Sequence, residues 1–124
     1  MAQTALSTVQ ATYAAFERGD IPALLGLLSP AVAWEVVGQA GAYPTFGLRH
    51  GADGALAFFQ AVDATESFNA FTPERFHSTR RTVTVEGSCF ITLKTNGARL
   101  AYDWLHLWTV KGGKVTRFRE FYDT

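Results

Sequence analysis

Two long alternating runs, residues 82–95 and 98–110, flank the dipeptide Asn96-Gly97, and this pairing restricts the fold more than any other feature of the chain. Asn-Gly between apolar alternations signals a β-hairpin closed by a two-residue turn. Such a turn sets Val83, Val85, Gly87, Cys89, Ile91 and Leu93 opposite Val110, Trp108, His106, Trp104, Tyr102 and Leu100. Residues directly opposite share a face of the sheet. This face is apolar except for His106 and the Tyr102 hydroxyl, and an unpartnered polar group in such a place costs on the order of 1–3 kcal/mol. The other face mixes Thr84, Glu86, Ser88 and Asp103 with Phe90, Leu105 and Leu107. Apolar groups on that side need a cover, and a second copy of the chain is the simplest one, so a homodimer built on the outer sheet face is expected.

Upstream of this hairpin the period is helical. Leu6, Val9, Tyr13 and Phe16 recur at steps of three and four and predict an amphipathic helix ending at Gly19. Asp20 is a suitable N-cap and Pro22 suits a first turn, so Leu24, Leu25, Leu27 and Leu28 predict a second short helix stopped by Ser29-Pro30. Val32 to Val37 reads as a strand with Val32, Trp34 and Val36 on one side and Ala33, Glu35 and Val37 on the other. A glycine-rich loop follows, after which Asp53 caps a third helix carrying Leu56, Phe59 and Val62. Strands are then predicted near 68–77, 82–95, 98–110 and 114–122. Three N-terminal helices against an antiparallel meander, in the order ααβαββββ, read as α+β. The 124 residues suit a single domain spanning 1–124.

Charge and cysteine content exclude several functions. Eleven Lys and Arg balance eleven Asp and Glu, which leaves no basic field for nucleic acid or an anionic membrane. The lone Cys89 forms no internal disulfide, and no His/Cys spacing suggests a metal, so a reducing, cytoplasmic setting without metal or organic cofactor is expected. No run approaches the roughly 18 apolar residues of a membrane span, and the start lacks the pattern of an export signal. Ten Phe, four Tyr and three Trp exceed what packing a small core requires.

The last hairpin, around Lys111-Gly112-Gly113-Lys114, leaves its register open. A two-residue turn puts Arg117 and Arg119 on the face of His106, whereas three residues with a glycine bulge put Phe118, Glu120 and Tyr122 there. Burying two arginines without acids is costly, which favours the second arrangement, with Glu120 opposite Trp104 and diagonal to His106.

Several segments in this order resemble the nuclear transport factor 2-like superfamily, nearest its SnoaL-like and ketosteroid isomerase-like branch. They are Tyr13-Ala14-Ala15-Phe16 with Gly19-Asp20, Leu24 to Pro30 leading into Val32-Ala33-Trp34, Gly47 and Gly51 before Phe58-Phe59, and His106-Leu107-Trp108 through Arg119-Glu120-Phe121-Tyr122-Asp123. The resemblance covers nearly the whole chain. It implies a cone-shaped, strongly curved sheet wrapped on helices, an apolar cavity, and commonly a homodimer. His106 matches the cavity position at which ketosteroid isomerases hold a protonated Asp, and Tyr13 lies one residue from their helix tyrosine. Where those enzymes carry a general-base Asp this chain has Val36, with Glu35 facing the other way, so their steroid chemistry is not implied here. Nor is there an Asp, Arg and Asp set facing the cavity, as limonene epoxide hydrolases use.

His106, Glu120 and Tyr13 are therefore the candidate catalytic residues. His106 reads either as a proton-transfer group or as a core histidine bonded to Tyr102, Glu120 or a backbone carbonyl. Glu120 reads either as the carboxylate that sets the charge state of His106 or as a solvated edge residue paired with Arg117 or Arg119. Trp34, Val36, Phe16, Phe59, Tyr102, Trp104, Trp108 and Phe118 are candidate ligand-binding residues, with ordinary core packing as the competing reading. His77 has no identifiable partner. Two functions stay open: cofactor-free acid/base chemistry of isomerase, cyclase or hydratase type on a small apolar molecule, or a non-catalytic ligand-binding or dimerisation module.

Overall fold

A computed structural model describes residues 4–39 and 41–122, so Asp123 lies outside the described residues. Helix α1 (Ala5–Glu17) opens at Thr4, whose side chain accepts a hydrogen bond from the Ser7 amide at 3.0 Å. It stops before Gly19, which adopts a left-handed φ of +72°. Asp20 caps α2 (Ile21–Leu25) as its sequence suggests, with Pro22 in the first turn. This helix ends earlier than expected. Leu28, Ser29 and Pro30 belong instead to strand β1 (Leu28–Val36). Pro30 is tolerated because it falls in the irregular stretch between the Leu28 and Ala33 pairings, where no ladder bond is required of it.

The glycine-rich loop contains an additional short strand, β2 (Gly47–His50), antiparallel to β1, so the order is ααββαββββ. Helix α3 (Gly51–Thr65) starts with His50 at the cap position and no side-chain cap bond. Asp53 lies in its first turn rather than capping it, which still suits the positive end of the helix dipole. The remaining strands are β3 (Glu66–Ser78), β4 (Thr82–Leu93), β5 (Arg99–Lys111) and β6 (Lys114–Tyr122).

These strands form one curved, unclosed sheet in the order β2-β1-β6-β5-β4-β3. The meander from β3 to β6 is antiparallel, but β1 joins the edge of β6 in parallel, which the linear pattern of strands did not disclose. Helices α1 and α3 cover one face. Val9, Val32, Val83, Val85 and Val115 are fully buried there, beside Trp34, Trp104, Trp108 and Phe118.

Both hairpins differ from their sequence-level description in an instructive way. The connection at Asn96-Gly97 is four residues long, closed by Leu93 and Ala98, and Val83 therefore lies opposite Trp108 instead of Val110. A slip of two residues leaves every side chain on its expected face. In the last hairpin two residues, Gly112 and Gly113, do make the turn, both with positive φ as a type I′ turn requires. The register then shifts between Thr109 and Val110, leaving Thr116 as the extra residue on β6. This bulge turns Arg117 and Arg119 outward and Phe118, Glu120 and Tyr122 inward. Glu120 consequently sits directly opposite His106, not diagonal to it.

Candidate functional site

Three inward residues of β5, Trp104, His106 and Trp108, form the floor of an interior pocket of about 70 Å³. Tyr13 reaches it from α1 and Glu120 from β6. The Tyr13 hydroxyl stands 2.6 Å from His106 Nδ1 and accepts a hydrogen bond from Trp108 Nε1 at 3.0 Å. On the other side of the imidazole, Nε2 lies 2.6 Å from Glu120 Oε2. The ring is held in plane by Trp104, stacked at 3.9 Å, and by the Tyr13 ring, which is nearly parallel to it at 5.8 Å.

This chain of bonds assigns the protons. Burial holds the Tyr13 hydroxyl well above its usual range, with the Glu120 charge adding to the effect, so the phenol keeps its proton. Trp108 donates to its oxygen, which leaves Nδ1 as the acceptor within reach of the phenol proton; in the tautomer that accepts it, Nε2–H donates to the Glu120 carboxylate. In an imidazolium, Nδ1–H would instead donate to Tyr13 and the tyrosine proton would lose its acceptor. Both ring nitrogens are thus occupied within the protein. Tyr13, His106 and Glu120 all line the pocket, and Glu120 is more exposed than its bonded partner, its side chain 16% exposed against 5% for His106.

The pocket wall includes Tyr13, Phe16, Trp34, Phe59, Tyr102, Trp104, His106, Trp108, Phe118 and Glu120. Val36 is buried in the core but is not part of this wall, because it lies beyond Glu120 on β1, paired with it across the parallel ladder. Glu35 faces outward and accepts a hydrogen bond from Arg119 Nε at 2.9 Å, so Arg119 partners Glu35 rather than Glu120. His77 does have a partner, Glu86 on the neighbouring strand, at 2.8 Å on the exposed edge.

Sequence reading missed Glu66, Thr45, Phe68, Phe71 and Tyr122 as wall residues. Glu66 is the first residue of β3 and the residue that ends α3, and it is 9% exposed. Pairing with Leu93, on the inward side of β4, turns it into the pocket, and only the start of β3 two residues earlier than expected would have disclosed this. The Tyr43 hydroxyl, from the loop before β2, donates to Glu66 Oε2 at 3.4 Å. Desolvation raises the Glu66 carboxyl to about 7, the Glu120 charge adds to this, and the bond from Tyr43 opposes it. Phe68 and Phe71 both reach the wall although their numbers differ in parity, because β3 has a bulge between Phe68 and Ala70. The indole N–H groups of Trp34 and Trp104 are buried without a hydrogen-bond partner among the described residues.

The family model for the SnoaL-like domain matches residues 9–118. The chain belongs to the SnoaL-like domain family. No curated protein matches it. Among solved structures, this SnoaL-like chain is similar to an NTF2-like protein of unknown function from Burkholderia pseudomallei, with 27% identity, 98% of this chain and 92% of that one covered, and a TM-score of 0.89. TerC, co-crystallised with polyporic acid, is 27% identical over 96% of this chain and 91% of its own, with a TM-score of 0.86. A Mesorhizobium loti protein whose name makes it a candidate SnoaL-like polyketide cyclase shares the fold at 18% identity and a TM-score of 0.80, covering 97% of this chain and all of its own.

Proposed function

We propose that this SnoaL-like chain performs cofactor-free proton transfer on a small, apolar, carbonyl-bearing molecule held in the interior pocket. The observation that carries the reading is the Tyr13–His106–Glu120 chain of short hydrogen bonds, which fixes one carboxylate in an aromatic wall and leaves it facing the pocket. Glu120 is the catalytic base. It takes a proton from the carbon beside the carbonyl, the electrons of that C–H bond form a C=C bond, and the carbonyl electron pair moves to oxygen. In a substrate with a further C=C bond one carbon beyond, the oxygen pair returns to the carbonyl, the electrons of the new C=C bond move one bond further from it, and those of the old C=C bond take the proton back from Glu120 at its far carbon, which completes an isomerisation. His106 and Tyr13 are positioning residues, since both imidazole nitrogens are engaged by protein atoms; their bonds orient the carboxylate and spread its charge. Co-crystallisation of the similar TerC with polyporic acid supports an organic ligand for a pocket of this kind. The single buried thiol of Cys89 is in keeping with a reducing, cytoplasmic setting.

A purely ligand-binding module is the second reading, favoured by the complete satisfaction of His106 inside the protein. Exchange chemistry separates the two without knowledge of the natural substrate. With 1-indanone in D₂O, NMR should show faster deuterium incorporation beside the carbonyl with the wild type than with Glu120→Gln, by about 10²-fold or more. Equal rates for the two proteins, with indanone bound by both, would leave only the binding module.

A further inference from the structure

Glu66 takes no part in the hydrogen-bonded chain that holds Glu120, yet it occupies the most connected position of the pocket. The interior pocket borders two outer depressions, one bounded by Phe16, Leu56, Phe59 and Asn69 between α1, α3 and β3, the other by Tyr43, Phe46, Ile91 and Leu100 near the loop before β2. Among the described residues, Glu66 alone lines all three.

We propose that Glu66 is a ligand-anchoring carboxylic acid at this junction, whose O–H donates a hydrogen bond to an uncharged oxygen acceptor such as a ketone or quinone carbonyl, so that the pocket selects neutral oxygenated aromatic molecules over anions. The inference rests on the function proposed above and names the class of ligand for the same site. Its first support is the charge of the wall. The interior pocket is lined by two carboxyl groups and no Lys or Arg among the described residues, so an anion would meet the Glu120 carboxylate without a counter-charge. Of the cations beside the wall, Arg49 gives its guanidinium to the carbonyls of Thr45 and Pro44, and Lys94, just after β4, directs its ammonium to Asp63 on the exposed side of α3 at 4.0 Å.

The second support is the set of groups around Glu66. Tyr43 faces it from the loop, Cys89 from β4, Tyr102 from β5, and Tyr122 and Glu120 from β6. Burial holds the Cys89 thiol at about 12 and raises all three tyrosines, so these neighbours are uncharged near neutrality. Glu120 is then the one charged neighbour, and its negative sign favours a proton on Glu66. The carboxyl also stands at the C-terminal end of α3, where the helix dipole disfavours a negative charge. Tyr43 donates to one oxygen, Oε2, at 3.4 Å, and no protein partner for Oε1 is found among the described residues.

The test compares 1-indanone with indane, which has the same ring skeleton but no oxygen, by the quenching of tryptophan fluorescence, since Trp34, Trp104 and Trp108 all line the pocket. Wild-type affinity for indanone should fall about tenfold or more between roughly pH 5.5 and pH 8.5, while that for indane stays level. Glu66→Gln keeps an N–H donor at every pH and should bind indanone across the range as the wild type does in acid; Glu66→Leu should bind both compounds alike. A level indanone profile in the wild type, or a pH dependence that persists in Glu66→Gln, overturns the proposal while leaving the pocket reading intact. Failure of the wild type to bind either compound overturns the pocket reading and the proposal together.

Discussion

Replacing Glu66 by Gln tests the electrostatics of the pocket without any ligand. The carboxyl is raised from 4.5 to about 7, chiefly by burial, and in the unfolded chain it returns to its ordinary range. Between these limits the folded protein binds a proton that the unfolded chain has already released. The contribution of Glu66 to stability is therefore fully present below about pH 4.5 and is lost as pH rises through 7. At about 1.4 kcal/mol for each tenfold change in proton affinity, the loss is on the order of 3 kcal/mol. Gln cannot titrate, so the stability of Glu66→Gln relative to wild type should improve by about 2–3 kcal/mol between about pH 5 and pH 8, or roughly 10 °C in melting temperature for a domain of this size. Urea unfolding of both proteins at the two pH values measures it, because titrations common to both cancel in the difference. A relative stability constant to within about 0.5 kcal/mol would show that Glu66 ionises freely in the folded state and would refute the reasoning.

Other perturbations probe the aromatic wall and the outer face. A methyl group at Gly87 would fall inside the contact distance of the Trp104 indole and of the Thr72 carbonyl, so Gly87→Ala should destabilise by about 2 kcal/mol or more, and an unchanged melting temperature would show that Trp104 does not lie across this glycine. Tyr13→Phe leaves Trp108 Nε1–H and His106 Nδ1 without their partner and should lower stability by about 1–3 kcal/mol in denaturant melts while also slowing the deuterium exchange of indanone. If a second copy covers the outer face, where Phe90 is 39% exposed beside half-buried Leu105 and Leu107, Phe90→Arg should shift the sedimentation coefficient from dimer to monomer; a wild type that is already monomeric would end that expectation.

The division of labour between sequence and tertiary structure follows from the two-residue period of a strand. Which face each residue of β4 and β5 occupies was legible in the alternation around Asn96-Gly97, and the true connection, longer by two residues, changed partners without changing faces. The helices α1 and α2 were legible through Thr4-independent features such as the spacing of Val9, Tyr13 and Phe16 and the Asp20 cap. What alternation could not supply was odd displacement. The bulge at Thr116 reverses the parity that the two-residue turn at Gly112-Gly113 would otherwise impose, and only that reversal brings Glu120 opposite His106. The parallel docking of β1 on β6, the approach of Tyr13 to His106 across 93 positions of chain, and the burial of Glu66 under Tyr43 are likewise contacts between distant segments. Local pattern determines which way a side chain faces because that depends on its own strand; which groups meet, and whether water reaches them, depends on how the helices close over the sheet.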